Sequence, residues 1–291
     1  MAANDDLQKK IERIANLPTL PEIVLRVRKI VNSPTTSSQD LANVVGQDLA
    51  LSAKIIRLAN SAFYGVPRSV TNINSAIVVL GFKVINTIVM SLTVFDRFPH
   101  DKRTALFNRA AFWRHCTSCA LISRFMAERM SVSFPFDAED AFCAGLLHDI
   151  GKVVMEQYLH EDFHRALLHA KKSSAPLYCA EKETLGYTHA DVAQWLTSNW
   201  GLPSPLQLPM VYHHSPQQAR SCNAMVTLTH WADHLCYELK LTIDEVYASP
   251  PLDRVSTARL AISEDDVERV KLRLVNELDK VDIFCGIACG E

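Results

Sequence analysis

The stretch "LPEIVLRVRKIV", Leu20 to Val31, decides the architecture. Ile23, Val24, Val27, Ile30 and Val31 recur at the spacing that gathers them on one face of a helix. The same period returns in "ALSAKIIRLANSAFYGVP" (50–67), "NINSAIVVLG" (72–81) and "KVINTIVMSLTVF" (83–95). It continues in "TALFNRAAFWRHCTSCALISRFMAERM" (104–130), "DAEDAFCAGLLHDIGKVVMEQYL" (137–159) and "NAMVTLTHWADHLCYEL" (223–239). No run alternates apolar and polar residues between turns, so the chain is predicted to be all-α. Ser37 and Asp40 form a capping box for a short helix after Pro34. "APLYCAEKETLGYTHADVAQWLTSNWG" (175–201) reads as two helices or one kinked helix. The polar "RFPHDKRTA" (97–105) marks a soft boundary, giving an N-terminal helical lobe over 1–105 and a second lobe over 106–291 that includes the C-terminal helices.

Composition bounds the function. The chain has 291 residues, 48% of them apolar, enough for a sizeable core. Net charge is −2 with no basic block, so no nucleic-acid footprint is indicated. The most apolar window, Ser75 to Phe95, is interrupted by Gly81, Lys83 and Asn86 and reads as two buried helices meeting at Gly81 rather than a membrane span. The polar start "MAANDDLQKKIERI" is no signal peptide, and eight scattered cysteines suit a reducing compartment, so the expected location is cytoplasmic. Cys116 and Cys119 read as small packed residues.

The eleven histidines matter by position. His115, the adjacent pair His148 and Asp149, His189, the pair His213 and His214, and Asp233 all sit in apolar helical contexts. Together they resemble a divided metal site, in which imidazole and carboxylate suit divalent Fe, Mn, Zn, Ni or Mg. With one or two ions bound, such a site attracts phosphate, and a carboxylate can bridge both ions. On a continuous helix, His148 and Asp149 would diverge by about 100° and could share an ion only off the helix edge. A competing signal, "HEDFH" (160–164), matches the pattern of zinc peptidases, but its lysine-flanked setting reads as a solvated helix face. His230 and His234 bracket Asp233 as polar neighbours of the site.

These residues and their surroundings resemble the HDOD family, the HD-related output domain of bacterial signalling proteins. The matching stretches are "LPTLPEIVLRV", "DLANVVGQDLALSAKIIRLANSAFYG", "INSAIVVLG", "FWRHCTSCALISRFMA", "AGLLHDIGKVV", "ETLGYTHADVAQWLTSNWGLP" and "VYHH", from about Leu17 to Asp233. The resemblance implies an all-α, two-lobed fold related to the HD and HD-GYP metal-dependent phosphohydrolases. It implies His115, His148, Asp149 and Asp233 as basic metal ligands and His189, His213 and His214 as the additional ligands of a two-metal site. It implies Asp149 and Lys152 as the catalytic pair, the lysine touching phosphate or the attacking water. Family members mostly act as output or scaffold modules, so the leading expectation is a signalling module working through protein contacts, in circuits that can involve cyclic di-GMP. Its partner would be a response regulator, a kinase or a cyclic di-GMP enzyme, and Phe63 and Tyr64 are the candidate surface anchors. The alternative is a phosphohydrolase acting on a nucleotide or phosphodiester. The segment after Lys152 lacks the Gly-Tyr-Pro loop, Ala111 stands where some relatives carry a third-metal Glu, and beyond Lys152 only Arg114 adds positive charge nearby. With the chain starting almost at the first helix, regulation is expected from a separate partner rather than an attached receiver domain.

Overall fold

Pro21 ends an extended lead-in, and α1 (Glu22–Val31) buries Val24 and Val27. The computed structural model describes residues 10, 19–98, 106–130, 133, 134, 136–219, 223–242 and 248–290. The described residues form helices and turns, with no strand. The chain divides into two compact units, Thr19–His100 with Arg273–Glu291, and Met1–Pro18 with Asp101–Leu272.

In the first unit, α2 (Ser38–Val45) opens on the expected capping box, Ser37 and Asp40 each bonding the other's backbone N–H. Asp48 caps α3 (Leu49–Ala59) through its bond to the Leu51 amide. The run "LANSAFYG" has a structural job. The Asn60 carboxamide donates to Val70 O at 2.7 Å and accepts from Val70 N at 2.8 Å, pinning the loop after α3 from both sides. α4 (Ile73–Leu80) and α5 (Phe82–Arg97) meet at Gly81, whose φ of 85° lies in the left-handed region that glycine enters without strain. The chain bends there by 118°, and among the described residues no single helix is long and apolar enough to cross a membrane.

Two expectations are corrected in this unit. Residues from Arg273 onward belong with the N-terminal helices and not with the second lobe. The last helix, α16 (Leu278–Cys289), brings Phe284 to 4.8 Å from the Phe63 ring and 6.1 Å from the Phe95 ring. Phe63 is therefore buried and no surface anchor, because the returning helix covers it. Tyr64 is half-buried, edge-on to Phe63 at 4.9 Å.

The second unit is built on α6 (Arg109–Met130), buried along most of its length. α7 (Ala138–Leu147) lies against it, closely enough that a Cβ on Gly145 would stand 2.7 Å from Ala120 Cα. α8 (Ile150–Tyr158), α9 (His160–Ser173), α10 (Leu177–Leu185) and α11 (His189–Trp200) follow. "APLYCAEKETLGYTHADVAQWLTSNWG" thus forms two helices, the second started by a Thr188–Asp191 capping box. α12 (Ser204–Tyr212), a short 3-10 turn (Pro216–Gln218), α13 (Ala224–Glu238) and α14 (Arg254–Ala258) come next. The unit boundary falls inside α15 (Glu264–Asn276). A buried ion pair, Arg109 with Glu156, ties α6 to α8.

Candidate metal centre

The stretch "AGLLHDIGKVV" is not one helix. α7 ends at Leu147 and α8 begins at Ile150, with His148 and Asp149 at the junction. The break has a local cause. His148 Nδ1 lies 2.7 Å from Gly145 O and donates to it, capturing a carbonyl at the α7 terminus. Asp149 takes φ −98° and ψ 10° and turns its carboxylate inward instead of capping α8. Both side chains reach one centre from this junction, His148 Nε2 standing 3.3 Å from Asp149 Oδ2.

All seven sequence-predicted ligands converge there. Around Asp149 Oδ2 stand His148 Nε2 at 3.3 Å and His115 Nε2 at 3.6 Å. Asp233 Oδ1 closes this group, 3.2 Å from His115 Nε2 and 3.6 Å from His148 Nε2. Around Asp149 Oδ1 stand His189 Nε2 at 3.2 Å and His213 Nε2 at 3.5 Å. The Nε2 of His189 is 3.3 Å from that of His213 and 3.1 Å from that of His214. Asp149 thus faces a two-His, one-Asp group with one oxygen and a three-His group with the other.

Does this set fit a metal? Four donors held about 2.1 Å from one ion in a tetrahedron stand about 3.4 Å apart, from ordinary zinc–imidazole bond lengths. The separations above bracket that value in both groups. The buried atoms His115 Nε2, His148 Nε2, Asp149 Oδ1 and Asp233 Oδ1 have no hydrogen-bond partner, a costly state that an ion would relieve. The residues fit a pair of divalent ions.

The surroundings hold the ligands in place. His115 Nδ1 bonds Leu241 O at 2.8 Å, and His213 Nδ1 bonds Pro209 O at 2.9 Å. His189 is gripped by Glu181, whose Oε2 accepts from the His189 amide at 2.9 Å and from Nδ1 at 2.7 Å. Such outer bonds fix ring orientation and leave Nε2 free to ligate. Lys152 Nζ stands 2.5 Å from Asp149 Oδ2. Burial works against the Lys152 charge, but Asp149 beside it carries the pKa upward, so the ammonium persists. Burial likewise opposes the Asp149 and Asp233 charges, and the facing histidines, with Lys152 for Asp149, hold both well below the usual carboxylate range. Burial pushes His213 down to about 4, leaving the neutral ring that a metal requires.

Several contributors were missed from the sequence. Glu181, between Ala180 and Lys182, looks like an ordinary helix charge. Gly151 gave a readable signal, since a glycine inside a helix points to close packing. A Cβ there would stand 1.9 Å from His189 O, so its absence lets α11 deliver His189. His230 lies 2.6 Å from His213 O and accepts from the Asp253 amide at 2.9 Å, supporting the ligand it was expected only to neighbour. His234 turns instead to Pro250 O at 3.0 Å. In "HEDFH", Phe163 is buried and His160 and His164 are half-buried, their rings 6.2 Å apart. Arg114, expected to add positive charge nearby, is half-buried on α6.

Comparison with known proteins gives the family. Residues 17–216 match the HDOD domain. The chain belongs to the HDOD family. An uncharacterized protein of Treponema pallidum is 22% identical over 206 residues, 70% of this chain, and this HDOD chain spans 39% of that relative's length. Among solved structures, an HDOD protein of unknown function from Geobacter sulfurreducens aligns over 99% of this chain and 98% of its own, at TM-score 0.80 and 23% identity. A candidate signal transduction protein from Marinobacter aquaeolei VT8 aligns over 99% of this chain and 66% of its own, at TM-score 0.83 and 24% identity. A candidate metal-dependent phosphohydrolase from Shewanella amazonensis SB2B aligns over 98% and 100%, at TM-score 0.67 and 19% identity. At these identities the likeness establishes a shared helical fold.

Proposed function

We propose that this HDOD protein is a bacterial cytoplasmic signalling protein that holds two divalent ions and hydrolyses a phosphoester bond. The observation that carries the reading is the split of Asp149, one oxygen toward His115, His148 and Asp233, the other toward His189, His213 and His214. Bound there, two ions would supply Lewis acidity and a water that ionises near neutral pH. The chain's own residues do the rest. Lys152 keeps Asp149 oriented and adds a fixed positive charge beside the centre, where it favours a phosphate oxygen. Glu181 holds His189 in one ring orientation. Burial of His115, His148, Asp149, Lys152, His189 and Asp233 keeps bulk water from screening these charges. Metal analysis of the purified protein, with a nitrophenyl phosphodiester assay in added Mn, tests the reading. Two ions per chain and turnover abolished in Asp149→Ala are expected; metal-free protein without turnover overturns it.

A second reading, action through protein contacts with a response regulator, kinase or cyclic di-GMP enzyme, has a different support. The first unit exposes large apolar side chains, Leu49 at 82% and Val78 at 69%. Recovery of a signalling protein by the wild type and its loss in Val78→Asp is the expected result. Equal recovery by both would remove this surface from consideration.

A further inference from the structure

The two halves of the centre differ in access. Six of the seven ligands are buried, and His214 alone among them is half-buried. His214 lines a cavity of about 580 Å³ bounded by residues of α10, α11, α12 and the 3-10 turn. It is also the least anchored ligand. The Nδ1 atoms of His115, His148, His189 and His213 each bond a carbonyl or carboxylate, whereas His214 Nδ1 has no hydrogen-bond partner. What steadies the His214 ring is Tyr178, stacked on it at 4.2 Å and 16°. Tyr178 lines the same cavity, and Lys182, one turn further along α10, stands at its wall beside Glu183, which bonds His169, and Asp191, which is engaged in the capping box of α11.

We infer that this cavity is the port of the metal centre, with the Tyr178–His214 stack as its inner gate, so that the ion on the three-histidine side exchanges with solution while the other is retained, and phosphate approaches by the same route past Lys182. The inference rests on the two-ion reading above. His115, His148 and Asp233 are buried, and none of them lines this cavity. The His214 ring is bonded only through the Nε2 that faces His189, with no bond on Nδ1 to fix its orientation, so it swings aside more easily than rings tied at both nitrogens. Aromatic stacking is worth about 0.5–1.5 kcal/mol, so loss of the gate changes exchange about two- to tenfold.

The test uses the full chain loaded with Zn and challenged with a chromophoric chelator. Two release phases are expected, one ion each. Tyr178→Ala accelerates the fast phase about two- to tenfold and leaves the slow phase unchanged. Gln194→Trp, at an exposed cavity position, slows the fast phase alone and serves if Tyr178→Ala is unstable. Inorganic phosphate slows the fast phase in the wild type and not in Lys182→Ala. Uptake of two ions that leave in a single phase, or variants that alter the slow phase instead, overturns the port while leaving the two-ion centre intact. Uptake of no ion overturns both.

Discussion

Gly151→Ala is the most discriminating single change in the centre. The added methyl carbon would lie 1.9 Å from His189 O and 2.7 Å from His189 C, both backbone atoms at the start of α11. Ordinary contact begins at 3.4 Å, so α8 and α11 must part by about 1.5 Å. Overpacking of this kind costs about 1–3 kcal/mol, and the absence of any flexible side chain at the contact puts this case at the upper end. The melting temperature of a unit of this size falls about 2–4 °C per kcal/mol, giving a drop of about 6–12 °C. His189 moves with α11, and a donor displaced by that much cannot keep bond length to an ion shared with Asp149. The three-histidine position therefore loses its ion, while His115, His148 and Asp233, on other helices, keep theirs. Calorimetry read beside metal stoichiometry checks both outcomes. Gly145→Ala is the complement: its Cβ meets Ala120 Cα at 2.7 Å, so it parts the helix carrying His115 from the one whose Gly145 carbonyl holds His148, and should cost the other position its ion instead. Gly151→Ala protein with an unchanged melting temperature and two ions would refute the packing argument.

Removing Glu181 tests the outer bonds: Glu181→Ala should weaken the three-histidine position about 10–100-fold, read by chelator competition, with Glu181→Gln in between. Lys152→Met leaves the buried Asp149 without its cationic partner and should cost about 3–5 kcal/mol in urea unfolding of the metal-free protein; a loss below 1 kcal/mol would mean the pair is not formed. The acid response of the metal-free protein follows from His213, whose folded pKa of about 4 lies below the unfolded value of about 6.5. The neutral ring is favoured on folding, so this contribution is complete above pH 6.5, shrinks as pH falls and levels off below 4, a span of about 3 kcal/mol. His213→Asn should remove that part of the slope, and parallel unfolding curves for the two proteins between pH 4 and 7 would contradict the assignment.

Much of this was legible because the signals were local or chemical. The apolar period fixes the helices, and the Ser37–Asp40 box fixes the start of one of them. The candidate ligand set was legible as a set because an adjacent His-Asp pair and a late Asp join several histidines in apolar surroundings, where polar groups need partners. The junction at His148 was hidden: apolar residues continue through it at helical spacing, and the break depends on which carbonyl the imidazole takes. Glu181 was hidden for the opposite reason, since a charged residue in a charged helix turn gives no sign of being buried against a ring eight positions on. Phe63 was misplaced because its cover, Phe284, lies at the far end of the chain, and no local pattern announces a long-range return.

On the two-ion reading, metal occupancy and fold are one problem in this protein. The ligands come from α6, the α7–α8 junction, α11, the end of α12 and α13, so five parts of one unit meet at a centre that has no apolar packing of its own. Without ions, the four buried atoms that face the centre, His115 Nε2, His148 Nε2, Asp149 Oδ1 and Asp233 Oδ1, lack hydrogen-bond partners, and each such atom costs about 1–3 kcal/mol. An ion that binds only the folded chain returns that energy as stability. At a free concentration one hundred times its dissociation constant, the gain is about 2.7 kcal/mol per site. In a unit of this size that is a rise of about 5–11 °C in melting temperature for each ion. Measured by calorimetry with and without Mn or Zn, the rise should vanish in Asp149→Ala, which removes the one side chain common to both groups. An unchanged melting temperature at saturating metal would mean that the seven side chains are a self-satisfied polar core. A rise would mean that metal holds the second unit folded even in a protein that acts purely by contact.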